Sequence, residues 1–140
     1  FVGIPNKIDT ETIFEKLKNN MIPIISPLGL GENKQTYNIN GDHAAGAVAK
    51  SLKSRRLLLM TNVEGVLNRE KKLISEINSS KIIEMIEDKT ITEGMIPKIT
   101  TCLDAVKNDV TAVGIIDGRK PRSVLFELFS DKGSGTLIRK

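Results

Sequence analysis

The sequence predicts an α/β fold in which a mostly parallel sheet carries helices on both faces, a three-layer αβα sandwich. Three observations predict it. Strand-like and helix-like stretches alternate along the chain. Leu57-Leu58-Leu59-Met60 is a continuous apolar run of strand length, as expected of a strand covered on both sides. Polar clusters recur where strands end and helices begin, the edge at which open α/β sheets bind ligands.

Phe1-Val2-Gly3 has the character of a strand end and turn. Asp9 is placed to cap a helix with Glu11 in its first turn, Ile13, Phe14 and Leu17 as its expected buried stripe, and Asn19-Asn20 as its stop. Met21-Ile22-Pro23-Ile24-Ile25 follows as an expected buried strand, at a position where Pro23 can spare one backbone donor. Pro27, Gly29, Gly31 and Asn33 mark a turn into a half-exposed strand at Gln35-Thr36-Tyr37. Asn38-Ile39-Asn40-Gly41-Asp42 hands that strand to a helix. Asn40 suits the N-cap, Asp42 suits the first turn, and Ala44, Ala45, Val48, Ala49 and Leu52 recur at helical spacing.

The run 57–60 ends in the polar loop Thr61-Asn62-Val63-Glu64-Gly65-Val66. Residues 67–77 suggest a hairpin turning at Asn68-Arg69-Glu70-Lys71-Lys72, and residues 79–88 a helix burying Ile82, Ile83 and Ile86. The stretch 90–98 opens a helix striped by Met95, Ile99, Cys102, Leu103, Val106 and Val110. Pro97 is tolerated there because a first-turn N–H has no helical partner. Residues 111–116 form a strand ending at Asp117-Gly118, residues 121–129 the last helix, and Gly135-Thr136-Leu137-Ile138 a closing strand.

A length of 140 residues suits one domain with a real core. The composition, 39% hydrophobic with 4% aromatics and no Trp, requires a core of Ile, Leu, Val and Ala. The net charge of +4 comes from lysines and arginines interleaved with acids, and aromatics for base stacking are scarce, so a solvated surface outweighs a nucleic-acid interface. The single Cys102 excludes a disulfide framework or a Cys-based metal site within the chain. No apolar run approaches membrane-spanning length and no signal peptide is visible. Neither nucleic acid nor membrane is expected as a partner, and the expected location is cytoplasmic, with a plastid as the alternative. The start at Phe1 leads us to expect a piece of a longer protein.

Three stretches can carry chemistry: Asn38, Asn40 and Asp42; Thr61 to Val66, where Gly65 permits close approach of a ligand; and Gly94 to Lys98. The last puts a lysine at a helix N-terminus, a combination suited to phosphate. Each has an ordinary alternative: a capped helix, an Asx turn at Thr61-Asn62, a surface lysine at Lys98. His43 lacks a second metal ligand nearby and Cys102 lies on an apolar stripe, so no metal site is expected. No G-x-x-x-x-G-K-[ST] is present, which excludes a P-loop kinase. By themselves these residues point to a nucleotide or phosphate site.

Taken together, the stretches resemble the amino acid kinase family, and within it the N-acetyl-L-glutamate kinases. N-I-N-G-D at 38–42 looks like the family's N-[IV]-N-A-D, with Gly41 replacing the usual Ala. L-M-T-N-V-E-G-V at 59–66 looks like its nucleotide loop, L-T-D-V-x-G-[VI], with Asn62 in place of the common Asp. G-M-I-P-K at 94–98 matches G-M-x-x-K. The resemblance covers essentially the whole chain.

It implies that the chain is a single domain, 1–140, equivalent to the C-terminal, ATP-binding half of such a kinase, with the N-terminal half absent. The implied reaction moves the γ-phosphoryl of ATP, with Mg2+ bound through the nucleotide, to the side-chain carboxylate of N-acetyl-L-glutamate in arginine biosynthesis. Asp42 and Lys98 are then the implied catalytic residues and Asn38 and Asn40 the substrate-binding ones. Thr61, Asn62, Val63, Glu64, Gly65, Val66, Leu67, Thr90, Ile91 and Thr92 would line the nucleotide site. The tail is similar to arginine-inhibited members, which implies inhibitor contacts at Glu127 and Gly133; Arg122 stands where a His is common. A homo-oligomer is implied for the full-length protein. The family's K-x-G-G lysine and substrate loop lie outside this chain, so the piece alone is expected to be inactive. The rival expectations are another amino acid kinase, such as uridylate kinase, and a non-catalytic regulatory domain keeping the fold. All of this requires the carboxylate of Asp42 and the ammonium of Lys98 to converge on one pocket.

Overall fold

Strand formation is strongest where apolar residues run without interruption. In the computed structural model, which describes residues 2–91 and 94–140, the run ending at Asp117 is the most deeply buried strand. The elements in chain order are β1 (Val2–Gly3), α1 (Thr10–Lys18), β2 (Leu28–Leu30), β3 (Thr36–Ile39), α2 (Gly41–Ser51), β4 (Arg56–Thr61), β5 (Glu76–Asn78), α3 (Ser79–Glu87), α4 (Ile96–Lys107), β6 (Ala112–Asp117), α5 (Ser123–Phe129) and β7 (Gly135–Arg139).

The strands form two mixed sheets. The smaller has the order β1-β3-β2, with β1 parallel and β2 antiparallel to β3. The larger has the order β4-β6-β7-β5. Its outer pairs, β4 with β6 and β5 with β7, are parallel, while β6 and β7 are antiparallel. The α/β class holds, but the single sheet expected from the sequence is two. The antiparallel return has a simple cause. Seven residues of α5 span about 10 Å, roughly half the length of a six-residue strand, so the helix does not carry the chain back to the amino edge. Gly135 accordingly starts β7 beside Ile116, near the carboxyl end of β6.

Alternate residues of the large sheet face opposite layers. Leu57, Leu59, Val113, Ile115 and Ile138 join Ile99, Cys102 and Val106 of α4 and Ala49 of α2 in one core. The other face of β6 meets α5: a Cβ on Gly114 would lie 2.8 Å from Leu58 and 3.4 Å from the Glu127 carboxylate. The arrangement is three-layered, helix–sheet–helix.

Several expectations are corrected. Met21–Ile25 is not a buried strand: Ile22 and Ile24 are 90% and 97% exposed. No described strand lies beside this segment to complete a ladder, and Pro23 lacks one donor of its own. On α1 only Ile13 is buried, while Phe14 and Leu17 are each 46% exposed. On α3 the buried stripe is Ile82 and Met85; Ile83 points outward and Ile86 is half-buried. Only Leu67 and Leu73 pair across the expected hairpin 67–77, because Ile77 is drawn into β5 beside β7. The last helix begins at Ser123, two residues late, since Arg122 sits in the left-handed region (φ 61°). Phe1 of the expected initial strand lies outside the described residues. Among the described residues no helix is long and apolar enough to cross a membrane.

Candidate active site

The site is built where α2 and α4 start. Asn40 leaves β3 and caps α2, its Oδ1 accepting from the backbone N–H of Asp42 (3.0 Å) and His43 (3.3 Å). Asp42 therefore sits in the first turn, where its charge suits the helix dipole. One turn later Gly46 lets the two helices approach; a Cβ there would lie 2.9 Å from the Thr101 methyl of α4. Lys98 lies one turn before Thr101. This close crossing brings Lys98 Nζ to 2.5 Å from Asp42 Oδ2, with the two side chains only 19% and 31% exposed. The lysine opposes the dipole of its own helix, and α4 opens without a side-chain cap. Such local conflict with helix preference is typical of a position kept for a ligand. The two groups meet as the sequence reading requires, but of the pair only Lys98 lines the cavity beside them.

Lys98 lines a cavity of about 690 Å³, within the size range of small-molecule sites. Of the sequence-predicted nucleotide residues, Thr61, Asn62, Val63, Gly65, Val66, Leu67, Thr90 and Ile91 line it. Glu64 does not: its carboxylate turns away to Lys120 Nζ at 2.8 Å. Thr92 lies outside the described residues. Asn38, on β3, is exposed and stands apart from the cavity wall, as do Asn40 and Asp42. Asp42 meets the cavity through Lys98.

The far wall was not apparent from the sequence. Asn68, Arg69 and Lys71 come from the turn after Leu67, and Asp88 and Lys89 from the end of α3. Arg69 Nη2 donates to Asp88 Oδ2 at 2.8 Å and its Nε to the Thr90 hydroxyl at 3.3 Å. Asp88 also accepts from the Thr90 N–H and hydroxyl, which holds its carboxyl below the usual carboxylate range. These contacts fasten the turn at 68–72 to the segment before α4. The only local signal is the D-K-T order at 88–90, which favours an Asx turn. The described cavity lining carries four cations, Arg69, Lys71, Lys89 and Lys98, against one carboxylate, Asp88, a balance suited to a polyphosphate.

Cys102, one turn beyond Lys98, is fully buried, and burial pushes its thiol up to about 12. It is a packing residue. Asp117 ends β6 level with Thr61, and its buried carboxylate takes two bonds from the Arg119 guanidinium and one from the Arg119 N–H, which hold it down to about 2. Glu127 and Gly133 do meet, on the α5 side of the sheet. Glu127 is buried and accepts from Ser134 N–H at 2.8 Å, with Arg56 Nη1 4.0 Å away. Gly133 has φ +63°, and a Cβ there would lie 2.7 Å from Glu127 Oε2. Among the described residues no group of three or more His, Cys, Asp or Glu could hold a metal ion.

Known proteins resemble this chain in sequence and in fold. Over 140 residues the chain is 58% identical to an acetylglutamate kinase of Pelagibacter ubique, covering all of this chain and 49% of that protein. It is 48% identical over 139 residues to an acetylglutamate kinase of Methylobacterium nodulans, covering 99% of this chain and 46% of that one. The N-acetylglutamate synthase of Neisseria gonorrhoeae, solved with coenzyme A and L-arginine, matches with a TM-score of 0.93 at 27% identity, over 100% of this chain and 32% of its own. The chain spans about half the length of the curated relatives it matches. A model of the amino acid kinase family matches residues 1–117, from the first strand to the buried aspartate that closes β6. With that match, and with the paired Asp42 and Lys98 beside a cationic cavity, the chain belongs to the amino acid kinase family.

Proposed function

We propose that the full-length protein transfers the γ-phosphoryl group of ATP to the side-chain carboxylate of N-acetyl-L-glutamate, and that this chain supplies its nucleotide half. The observation that carries the reading is the Lys98–Asp42 pair at the edge of the cavity lined by residues 61–67. The naming of the relatives as acetylglutamate kinases supports the choice of acceptor.

Charge spreads over the oxygens of a phosphoryl group in flight, so catalysis is positioning and electrostatic stabilisation. Lys98 brings a positive charge to that group, reinforced by the uncapped start of α4. Asp42 is already bonded to Lys98 and fixes where the ammonium points, so little reorganisation is needed during transfer. The loop 61–67 holds the nucleotide, with Thr90 and Ile91 closing the opposite wall. Asn38 and Asn40 face the acceptor. Asp42 is engaged by Lys98, and Asp88, the one carboxylate in the described cavity lining, by Arg69 and Thr90. Mg2+ would therefore be held by phosphate oxygens, where it adds charge neutralisation and orientation. A second cation and most of the acceptor site would come from the other half of the protein. We therefore expect no turnover from residues 1–140 alone.

The full-length protein would be a cytoplasmic homo-oligomer. Arginine would act as feedback inhibitor at Glu127 and Gly133, a reading supported by the L-arginine complex of the Neisseria synthase. The test supplies Mg-ATP and a panel of acceptors to the full-length protein and traps acyl phosphate with hydroxylamine. Hydroxamate formed with N-acetyl-L-glutamate is the expected result. Faster phosphorylation of uridylate or carbamate would overturn the assignment.

A further inference from the structure

We infer that Thr136, on the closing strand, is a positioning residue for the nucleotide loop. The inference rests on the nucleotide reading of that loop given above. Thr136 is fully buried and outside the cavity wall. Its hydroxyl accepts from the Val66 N–H at 2.8 Å and donates to the Ile74 carbonyl at 2.6 Å, reaching back 70 and 62 residues in sequence. Both capacities of the hydroxyl are thereby used across one junction. Ile74 N–H in turn donates to the Val66 carbonyl at 2.9 Å, so the loop, the arm returning from the turn at 68–72 and β7 meet at a single oxygen.

Val66 is itself 1% exposed and lines the cavity. Thr136 is the one described partner of its N–H. Without the hydroxyl that buried donor is left unpaired, which the loop can relieve only by moving. Gly65 is matched to this contact: its φ is +146°, and a Cβ would lie 2.5 Å from Thr136 Oγ1. The anchor does not drift, because Leu137 N–H holds Ser75 O at 2.9 Å and Ser134 is tied to Glu127 and to the Ser123 carbonyl. Position 136 therefore sets where the loop stands and so how well it fits the nucleotide.

The test compares Thr136→Val, which keeps the shape and removes both hydrogen bonds, with Thr136→Ser, which keeps the hydroxyl. In the full-length protein, Thr136→Val is expected to weaken binding of a non-hydrolysable ATP analogue about tenfold or more. It should raise KM for ATP while leaving KM for the acceptor unchanged, and Thr136→Ser should restore both. A folded Thr136→Val protein that binds the analogue as the wild type does would overturn the inference. If Thr136→Val does not fold, Thr136→Ser decides. A lowered melting temperature with wild-type nucleotide affinity supports positioning by the hydroxyl, and a tenfold loss of affinity overturns it. If the wild type binds no analogue, the nucleotide reading falls. Amide exchange at Val66 then tests the contact alone, and exchange no faster in Thr136→Val than in wild type would overturn it.

Discussion

Replacing Gly65 by Ala perturbs the loop at its least tolerant point. The backbone there has φ +146°, a conformation side chains rarely adopt, and holding an alanine in it costs about 1–3 kcal/mol. The new methyl also meets three neighbours: Thr136 Oγ1 at 2.5 Å, Leu73 Cδ1 at 2.7 Å and Thr136 N at 3.1 Å. The leucine tip can swing aside. The threonine cannot, since its backbone is paired to β6 and its hydroxyl already bridges Val66 and Ile74. Straining those bonds adds about 1 kcal/mol. The sum, about 2–4 kcal/mol, is a large part of the roughly 5–15 kcal/mol that holds a domain folded. Thermal unfolding of the full-length protein should therefore show Gly65→Ala melting about 4–8 °C lower. Its affinity for ATP should fall as well. A melting temperature within about 2 °C of wild type would refute the reasoning.

Gly41 offers the opposite case, because nothing lies within 4 Å of its would-be Cβ and it opens α2. Gly41→Ala should stabilise by about 0.5–1 kcal/mol, read as a rise in denaturation midpoint; a fall would contradict the helical geometry there. Cys102 should resist thiol reagents at pH 8 until the protein is unfolded. Below 9.0 the thiol is protonated in both states, but above it the unfolded chain loses the proton first, so stability falls as pH rises toward about 12. Cys102→Ala should lose that part of the alkaline decline, and an unchanged alkaline profile would count against it. Asp117 works at the other end. Its folded value of about 2 lies below the ordinary 3.8, so it stabilises above 3.8 and the gain disappears as pH falls toward 2. The stability gap between wild type and Asp117→Asn should close over that interval, and a gap independent of pH would contradict the assignment.

What was legible in the sequence is what local chemistry decides. Asp9 and Asn40 announce their helices because a cap bonds residues two or three positions on. The stripe of Ile99, Cys102 and Val106 shows the buried face of α4, and the unbroken apolar run at 57–60 shows β4. That strand is not covered on both faces as expected: Leu57 and Leu59 are buried, Leu58 is half-buried and Met60 is 53% exposed. Lys98 and Asp42 were identifiable within their own short motifs. The contacts that assemble the site were not legible, since Lys98 meets Asp42 across 56 residues and Thr136 meets Val66 across 70. The Arg69–Asp88–Thr90 clasp joins two stretches that each look like an ordinary turn. The misreadings share a cause as well. Ile22, Ile24, Phe14 and Leu17 have the apolar character of buried residues, yet burial depends on what the fold packs against them: no described strand pairs with the segment of Ile22 and Ile24, and on α1 only Ile13 is buried.

The central claim is that Lys98, aimed by Asp42, meets the phosphoryl group being transferred. The most direct measurement is steady-state kinetics of the full-length protein with Lys98→Met, Lys98→Arg and Asp42→Asn, on Mg-ATP and N-acetyl-L-glutamate. Lys98→Met should lower kcat by about a hundredfold or more with little change in KM for ATP. Lys98→Arg should recover part of that loss, and Asp42→Asn should fall between wild type and Lys98→Met. A folded Lys98→Met protein turning over within about threefold of wild type would contradict the account.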